Sequence, residues 1–372
     1  MTDVAWSPIA TDGKARTGVL RTAHGEITTP AFMPVATRGA VKALDSSDLV
    51  ALGAEMLLAN TYHLMLRPGA ELISRRAGLH VFMGWERPLL TDSGGYQVFS
   101  LGADVDQGGA RLRSVYDGSE VHLTPENVVR TQEQFGSDIA MVLDVCIGLP
   151  ADPATVKRAT DLTHDWAERS LVVHTRADQA LFGIVQGGID PDLRQESARR
   201  IAAMGFSGFG IGGLSVGESP SQRDLALEAA LAHLPADRVR YVMGLGDAAG
   251  VLAAIEVGAD LFDCVWPTRL ARHGRVFSSA GDFNLRRAQF AEDQRPLSDD
   301  CPCPTCGRHS RAFLRHLLML DELTVFRLLT IHNLTYTLRL LAEARRAIAD
   351  ARFGEFRTAT LRGRARSDSQ PG

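Results

Sequence analysis

Cysteine is scarce in this chain of 372 residues, and its distribution is uneven. Only five cysteines occur, and three of them, Cys301, Cys303 and Cys306, lie within six positions. This crowding argues against a disulfide framework and for a reducing compartment, where free thiolates can hold a metal. The chain also lacks a basic segment followed by an apolar stretch at its start, and it has no uncharged apolar run long enough to span a membrane. We therefore expect a cytoplasmic protein.

Lysine is rarer still, since it occurs only at positions 14, 42 and 157, and arginine supplies 37 of the 40 basic residues. Arginine forks suit phosphates and guanine edges, but genomic base composition can also replace lysine by arginine. The distribution is more informative than the count. Between positions 266 and 316 nine arginines face five acidic residues, within a protein whose net charge is −4. This segment is a basic region of an acidic protein.

Two nucleotide-binding patterns are absent: no GxGxxG opens a helix after the first strand, and no P-loop lysine is present. Instead, short apolar runs end in polar or glycine-rich residues, at 55–60, 88–95, 138–146, 180–188, 208–214, 239–246 and 261–267. Helical patterns lie between several of them, at 152–174, 192–204, 221–234 and 248–257. Strands that alternate with helices predict a parallel sheet, and at least seven of them favour a (β/α)8 barrel over a doubly wound sheet.

The rest of the chain is organised differently. Residues 1–37 alternate between apolar and polar positions around turn signals, which predicts small antiparallel strands that cap the barrel. We predict a catalytic barrel with its cap at 1–274, a zinc-binding subdomain at 275–335 and a C-terminal helix on the barrel at 336–356. The last segment, 357–372, is rich in arginine, serine and glycine, and we expect it to be disordered.

The three clustered cysteines predict one tetrahedral Zn²⁺ site, because Cys-x-Cys-x2-Cys brings three sulfurs into a short knuckle. The spacing leaves the fourth ligand open among His309, His316 and His332, and His309 is the simplest choice. A site with four protein ligands has no position for water, so this zinc is expected to be structural.

Carboxylates follow three of the predicted strands: Asp92, Asp144 and Asp263. An acid directly after a buried strand loses hydration unless hydrogen bonds, water or substrate meet it at the barrel mouth. Each is therefore a candidate acid, base or nucleophile, although any one alone could be a helix cap. Two glycine-flanked strand ends, Gly183–Gly188 and Ile211–Glu218, offer an amide and exposed backbone for reading a hydrogen-bonding edge, or are tight turns at the barrel rim.

These segments together resemble the bacterial-type tRNA-guanine transglycosylases of the queuine tRNA-ribosyltransferase family. The resemblance extends over nearly the whole chain and is very specific. It rests on segments that occur in the same order in the family: Asn60–Leu64, Thr91–Ser100, Gly183–Gly188, Gly212–Glu218, Asp263–Arg269, the cysteine cluster and Ile331–Leu334. It implies an irregular (β/α)8 barrel with an inserted zinc subdomain, in which His332 is the fourth ligand beside Cys301, Cys303 and Cys306.

The resemblance also implies a reaction, in which guanine at the anticodon wobble position of tRNA is exchanged for a 7-deazaguanine precursor of queuosine. Asp263 matches the family's nucleophile, and Asp92 matches the general acid/base, so two carboxylates share the work as in retaining glycosidases. The wobble nucleotide must be flipped into the pocket. The residues that match the family's base-binding positions are Ser93, Gly94, Gly95, Tyr96, Asp144, Cys146, Gln186, Gly213, Leu214, Met243 and Gly244.

In this assignment Tyr96 and Met243 sandwich the base, Asp144 accepts from its N1–H and 2-amino groups, and Gln186 reads the opposite edge with the backbone of Gly213 and Leu214. Val216 and Cys146 match the bacterial type, whose tighter pocket favours preQ1 (7-aminomethyl-7-deazaguanine) over queuine. The expected RNA contacts are Gly244, Leu245, Gly246, Asp247, Ala248, Ala249, Gly250, Thr268, Arg269, Leu270, Ala271 and Arg272. A homodimer is also expected from the resemblance.

Two positions depart from the family pattern. Val145 stands where bacterial members often have Glu, so any role of that acid is absent here. After Gly246 the family often continues with Lys-Pro, whereas this chain continues with Asp247. An acid at this position puts the expected RNA contact of Asp247 in doubt. Two other functions were weighed: a non-catalytic tRNA-binding subunit, against which Asp92 and Asp263 both argue, and a zinc-dependent hydrolase, for which His63 and His122 are only isolated candidates.

Overall fold

The computed structural model describes residues 4–368. Its first element is an antiparallel sheet of three strands, β1 (Ala5–Asp12), β2 (Ala15–Thr22) and β3 (Gly25–Thr29). The turn between β1 and β2 contains Gly13 with φ of +62°, which a residue without Cβ adopts at low cost. The predicted N-terminal antiparallel strands are present, but they end at residue 29.

Parallel strands form the centre of the molecule. In chain order they are β4 (Ala31–Met33), β5 (Val35–Ala36), β6 (Leu57–Asn60), β7 (Leu89–Asp92), β11 (Ile139–Met141), β12 (Ala180–Val185), β13 (Gly208–Ile211), β14 (Val239–Val242) and β15 (Leu261–Asp263). Three further strands lie between β7 and β11 in the chain and do not belong to this sheet: β8 (Asp104–Asp106), β9 (Gly109–Arg113) and β10 (Glu120–Leu123). The order β4-β15-β14-β13-β12-β11-β7-β6-β5 makes nine short strands. Since only Pro34 separates β4 from β5, they occupy one position, and the sheet closes into the predicted eight-position barrel.

Residues 31–36 were expected in the antiparallel cap and belong to the barrel instead. β4 pairs in parallel with β15, and β5 pairs in parallel with β6. The alternating pattern of the first 30 residues does not continue here, because all six residues are buried. Strands that are buried on both faces read as apolar runs and not as alternation.

The helices cover the barrel and the C-terminal part of the chain. They are α1 (Ser46–Ala51), α2 (Thr61–Leu64), α3 (Ala70–Arg75), α4 (Leu79–Met83), α5 (Gly95–Ser100), α6 (Pro125–Phe135), α7 (Pro153–Val173), α8 (Pro191–Ala203), α9 (Pro220–Leu231), α10 (Ala248–Glu256), α11 (Trp266–Arg272), α12 (Pro304–Arg308), α13 (Arg311–Met319), α14 (Leu323–Ala349) and α15 (Phe353–Asp368). No helix within residues 4–368 has the length and apolar character needed to cross a membrane.

Capping residues explain where three of the barrel helices begin. Asp152, Asp190 and Ser219 each accept a hydrogen bond from the first turn of α7, α8 or α9, and a proline follows each cap. Because a cap ends the preceding loop at a fixed residue, it also fixes where the loop after each strand meets the helix. These loops line the mouth of the barrel.

β8, β9 and β10 form a small antiparallel sheet that the sequence patterns did not identify. Its apolar residues Leu112, Val121 and Leu123 join a second core cluster with Tyr62 and Trp166. The insertion therefore lies against the loop after β6 and against α7, beside the carboxylate that ends β7.

The cysteine-containing subdomain has a core of its own. Two short strands, β16 (Arg275–Val276) and β17 (Phe283–Asn284), and a 3-10 turn at Ala288–Phe290 precede α12 and α13. The cluster includes Leu285, Leu314 and Leu318 together with Val325, Leu328 and Leu329 of α14. The predicted boundary between residues 335 and 336 falls within α14, which is one helix that packs on the subdomain core with its first half and on the main core with its second.

The prediction that the chain is disordered from residue 357 is wrong for residues 357–368, which belong to α15. Phe356 and Leu361 pack on the main core, and the Arg364 guanidinium donates to the Tyr336 hydroxyl at 2.6 Å and to the Asp282 carboxylate at 2.7 Å. Composition alone missed these anchors because they are few and widely spaced. Residues 369–372 lie outside the described residues.

Candidate active site

Asp92 is the last residue of β7, at the mouth of the barrel. In the register of β6 and β7 it stands opposite Asn60, whose amide donates to its carboxylate at 2.6 Å. The backbone N–H of Thr61 donates to the other carboxylate oxygen at 3.0 Å. The Asn60 amide also donates to Gln97 at 3.2 Å, so it is fixed from two sides. These partners orient the carboxylate without neutralising it, since none of them carries a charge.

Asp263 ends β15 in the same way. Its carboxylate accepts hydrogen bonds from the Tyr241 hydroxyl at 2.6 Å and from the Gly244 N–H at 2.7 Å. Both donors come from β14 and the loop that follows it. The sequence analysis did not identify Tyr241, and it named Asn60 only within a segment shared with the family, without a role. A polar residue inside or at the end of a barrel strand is the signal that could have assigned them to the site.

The two carboxylates influence one another electrostatically. Burial and, to a smaller extent, the negative charge of Asp263 raise the pKa of Asp92 to about 7, against the hydrogen bonds from Thr61 and Asn60. Burial also raises the pKa of Asp263, against the hydrogen bonds from Tyr241 and Gly244. The structure therefore places the two predicted catalytic acids in one site, with Asp92 half protonated near neutral pH.

Asp144 follows β11 and is buried. It accepts a hydrogen bond from the Gln186 side chain at 2.6 Å, which joins the predicted acid to the predicted amide. Burial raises the pKa of Asp144 to about 6, although the Gln186 hydrogen bond lowers it. A Cβ on Gly95 would lie 1.9 Å from the Asp144 carboxylate, so only glycine fits there. Asp144, Gln186 and the glycine after β7 thus form one pocket wall.

The glycines after β13 lie against the same wall. A Cβ on Gly213 would be 2.2 Å from the Gln186 amide oxygen, and Gly213 has φ of +65°. Beneath them lies Arg194 of α8, which is fully buried and was not identified from sequence. Its guanidinium donates to the Gly188 carbonyl at 2.8 Å and to the Gly212 carbonyl at 2.8 Å.

The other predicted base-binding residues occupy different environments. Tyr96 is 61% exposed on α5, and Met243 is half-buried after β14. No described contact joins these two side chains. Cys146 is buried, and Val216 is half-buried in a neighbouring loop. The Leu149 N–H donates to the Val216 carbonyl at 3.2 Å, so the loops that carry the two residues are joined.

The predicted RNA-contacting segments are only partly exposed. Arg269 is exposed on α11, and Arg272 is half-buried with its guanidinium on the Thr268 carbonyl at 2.8 Å. Thr268 and Ala271 are buried, and Ala271 belongs to the core of the subdomain. Asp247 caps α10 by accepting from the Gly250 N–H at 2.7 Å and lies 3.4 Å from the Arg223 guanidinium. Its carboxylate therefore has a structural partner.

Cys301, Cys303, Cys306 and His332 form one group whose ligand atoms all lie within 4.8 Å of one another. His332 Nδ1 is 3.2 Å from Cys306 Sγ and 3.6 Å from Cys303 Sγ. A tetrahedral zinc with bonds of about 2.0–2.3 Å separates its ligands by roughly 3.5 Å, so these donors fit zinc. His332 Nε2 lies 2.8 Å from the Phe277 carbonyl, a hydrogen bond that leaves Nδ1 for the metal.

Spacing had also left His309 and His316 open as the fourth zinc ligand. His309 stacks on Phe313, His316 belongs to α13, and neither lies in this group.

A second group, of two histidines and a carboxylate, contains His24, His80 and Asp138 and lies at the opposite end of β11. The two rings stack with centroids 3.6 Å apart and 14° between their planes. Since stacked rings have parallel lone pairs, they do not converge on one metal.

The described geometry defines a class of protein: a (β/α)8-barrel enzyme with a carboxylate pair at the carboxyl ends of its strands, a pocket wall of acid, amide and glycine, and an inserted Cys3His subdomain. The model of one family, queuine tRNA-ribosyltransferase, matches residues 12–366. The chain belongs to this family, and it is a transferase.

Relatives in several bacteria agree with this membership. The queuine tRNA-ribosyltransferase of Desulfosudis oleivorans is 50% identical over 94% of this chain and 92% of its own length. The protein of the same name from Oleidesulfovibrio alaskensis is 49% identical over 94% of both chains. That from Moorella thermoacetica is 48% identical over 92% of both. The sequence resemblance is therefore confirmed at the level of the family and the fold.

Proposed function

We propose that this enzyme exchanges guanine at the wobble position of tRNA for preQ1 by double displacement, in queuosine biosynthesis. The observation that carries the proposal is the difference between the two carboxylates that end β7 and β15. The pKa of Asp92 is raised to about 7, so it can give and take a proton near neutral pH, whereas both donors to Asp263 meet one carboxylate oxygen, Oδ1, and oppose the rise in pKa that burial causes. One group is suited to give a proton and the other to attack a carbon.

In the first step an Asp263 carboxylate oxygen attacks C1′ of the wobble ribose. The bond between C1′ and guanine breaks, its electron pair leaves with the base, and Asp92 supplies the proton that neutralises it. The product is a ribosyl ester of Asp263. The Tyr241 hydroxyl and the Gly244 N–H hold the Asp263 carboxylate in place and stabilise its negative charge. A hydrogen-bonded carboxylate needs positioning and no deprotonation by a base.

In the second step the incoming base loses its N9 proton to the Asp92 carboxylate and attacks C1′. The ester bond to Asp263 breaks, and its electron pair returns to the carboxylate. Asp92 therefore ends the cycle with the proton that it gave up, so the cycle needs no net proton transfer to solvent. Asn60 and the Thr61 N–H keep the Asp92 carboxylate oriented in both steps.

The pocket wall supplies the base specificity. The ionised Asp144 accepts from the N1–H and 2-amino donors of guanine or preQ1, and the Gln186 amide with the Gly213 and Leu214 backbone reads the opposite edge. Adenine lacks the donors that Asp144 requires and would leave a buried carboxylate without a partner. Tyr96 and Met243 are proposed to hold the two faces of the base.

The buried position of Cys146 supports preQ1 as the natural base. Burial raises the pKa of its thiol to about 12, so it packs as a neutral side chain. The Leu149 N–H donates to the Val216 carbonyl, and this hydrogen bond joins the loops that carry Cys146 and Val216. A bulky 7-substituent such as that of queuine would require these loops to separate.

The polyanionic partner is proposed to bind along the arginine-rich segment next to the mouth. Arg269 and Arg272 on α11 directly follow the Asp263 strand, and so they lie next to the ribose that Asp263 attacks. Phosphate contacts of this kind position an RNA and make binding salt-dependent. We further propose a homodimer and a cytoplasmic location, both from family membership.

The Cys3His group is proposed to hold one structural Zn²⁺. A metal with four protein ligands would join the α12 knuckle to α14 and so stabilise the subdomain that adjoins α11. Metal analysis of the purified protein should give about one zinc per chain. A value near zero in active, folded enzyme would remove zinc from the proposal.

The test of the function is base exchange with labelled guanine and unmodified tRNA that carries guanine at the wobble position. The expected result is incorporation of label that unlabelled preQ1 blocks more strongly than queuine, and that adenine does not block. A tRNA with adenine at that position is the control. Binding of tRNA without incorporation would instead support a non-catalytic tRNA-binding subunit.

A zinc-dependent hydrolase is not favoured by the site. His63 lies 3.1 Å from the Tyr116 hydroxyl, and His122 is exposed on β10. Neither belongs to a group of residues that could hold a metal within the described part of the chain.

A further inference from the structure

Arg194 is the largest charged side chain in the interior of the protein and has no accessible surface. It forms no ion pair with any carboxylate within residues 4–365. Burial lowers the pKa of its guanidinium to about 10, so it remains charged at neutral pH. A buried cation without a carboxylate is costly unless dipoles replace the lost water. Its partners therefore indicate what the protein gains from it.

Those partners are backbone carbonyls at the ends of two neighbouring strands. The guanidinium donates to Val185, the last residue of β12, at 3.1 Å and to Gly188 in the following loop at 2.8 Å, and to Gly212 at 2.8 Å and Gly213 at 3.2 Å after β13. The planar fork thus joins the two glycine-rich loops that carry Gln186 and Leu214. Lysine could not reproduce this arrangement, because its donors radiate from one nitrogen and do not lie in a planar fork.

The direction of these carbonyls fixes the direction of the neighbouring N–H groups. In a trans peptide the C=O and the following N–H point to opposite sides, and the cis peptide bonds of the described chain all precede proline. With the Gly212 and Gly213 carbonyls turned to Arg194, the N–H groups of Gly213 and Leu214 point away from it. Neither of these N–H groups donates to another protein atom within the described residues.

We propose that Arg194 is a positioning residue for base recognition: it holds the loop after β13 so that the Gly213 and Leu214 N–H groups face the 6-oxo group of the purine. This inference rests on the proposed function. It assigns to a side chain outside the pocket the alignment of the donors that read one edge of the base. Asp144 reads the other edge and makes no contact with Arg194.

The same helix supports Gln186 independently. Ser197 of α8 accepts from the Gln186 N–H at 3.2 Å and lies 2.8 Å from His164 Nε2. Because this contact does not involve the guanidinium, Gln186 keeps one of its supports when Arg194 is changed. An Arg194 variant should therefore alter recognition at the 6-position more than the fold of the loop after β12.

The test compares three bases as competitors of labelled guanine in the exchange assay, with the wild type and Arg194→Lys. 6-Thioguanine differs from guanine at the 6-position, where sulfur is a weak acceptor, and hypoxanthine lacks the 2-amino group that faces Asp144. The preference of Arg194→Lys for guanine over 6-thioguanine should fall by about fivefold to tenfold, the effect of losing one hydrogen bond. Its preference for guanine over hypoxanthine should stay unchanged.

Arg200→Lys is the matched control, because Arg200 lies on the same helix, is exposed and forms its ion pairs with Asp165 and Glu168 of α7. Ratios measured on one enzyme preparation are independent of the fraction that is folded. An equal loss of both preferences, or no loss of either, would overturn the assignment. If Arg194→Lys does not fold, Arg194→Gln replaces it, and failure of both while Arg200→Lys folds would mean that Arg194 serves the whole fold. Absence of exchange by the wild type would count against the proposed function instead.

Discussion

The two ends of the barrel strands treat the same residue type in opposite ways. At the carboxyl ends, Asp92, Asp144 and Asp263 accept hydrogen bonds from neutral groups only. At the amino ends, Asp260 pairs with the Arg16 guanidinium at 2.9 Å, and Asp138 contacts His24 at 2.9 Å and His80 at 3.2 Å. The first group meets neutral donors, whereas the second group lies against basic side chains.

The pKa values reflect this difference. The pKa of Asp92 is raised to about 7 and that of Asp144 to about 6, mainly by burial. Burial by itself would also raise the pKa of Asp138. The hydrogen bonds from His80, His24 and the Leu89 N–H outweigh burial and lower this pKa to about 2. The barrel mouth therefore retains charges at a cost in stability, whereas the charge of Asp138 at the other end stabilises the fold. Asp260 does not follow Asp138, because burial raises its pKa despite the Arg16 guanidinium.

Removal of Asp263 should have the largest effect on activity. Asp263→Ala deletes the proposed nucleophile, so we expect base exchange to fall at least about 10⁴-fold. The fold should persist, because the partners of Asp263 are a hydroxyl and an N–H at the open mouth. The rate of label incorporation checks this, with Asp104→Asn on an exposed strand as the control. Substantial exchange by Asp263→Ala would remove Asp263 from the mechanism.

Asp92→Asn should reduce exchange by about 10²- to 10⁴-fold, the usual contribution of a general acid or base. In the wild type, kcat/KM should decrease as the pH rises through about 7, because the proton that the departing guanine needs is lost from Asp92. The pH profile of exchange from pH 5.5 to 8.5 measures this. A profile that is flat over this range would assign the proton transfer to another group.

Asp144→Asn tests the comparison through stability. The pKa of Asp144 is raised in the fold, so its ionisation lowers stability as the pH rises from about 4 through about 6. Asparagine can still accept from Gln186 but carries no charge. At pH 8 the free energy of unfolding of the variant should be about 2 kcal/mol larger than that of the wild type, as measured by denaturant unfolding. The variant should also lose preference for guanine over hypoxanthine. The gain should disappear near pH 4.

Asp138→Asn is the same substitution at the other end of the barrel, and we expect the opposite sign. The lowered pKa of Asp138 stabilises the fold above about pH 4, and this contribution is lost as the pH falls towards about 2. The variant should therefore be about 2 kcal/mol less stable at pH 7, with exchange changed least of the four variants. Denaturant unfolding of Asp138→Asn and Asp144→Asn in parallel checks the contrast, and equal signs would contradict it.

Much of the site could be predicted from sequence because strand ends carry local signals. Asp92, Asp144 and Asp263 each follow an apolar run, and in a parallel barrel all such residues meet at one mouth. The cysteine spacing similarly predicted the three sulfur ligands of a metal knuckle, whereas His332, which completes the group, followed from the family resemblance and not from the spacing. Arg194 could not be found this way, because an arginine within an amphipathic helix looks like a surface residue until the helix is packed on the sheet.

The expected disorder from residue 357 was wrong for a related reason, because the few residues that anchor α15 are widely spaced in the sequence. α14 likewise runs through the predicted boundary at 335, because both the subdomain core and the barrel bury parts of it. The sequence by itself determined the alternation of strands and helices in the barrel, the acids at the strand ends and the thiolates of the metal site, since these depend on near neighbours. Only the tertiary structure decided which acids interact, which pKa values rise or fall and which buried arginine aligns the backbone, because charge and burial depend on residues far apart in the chain.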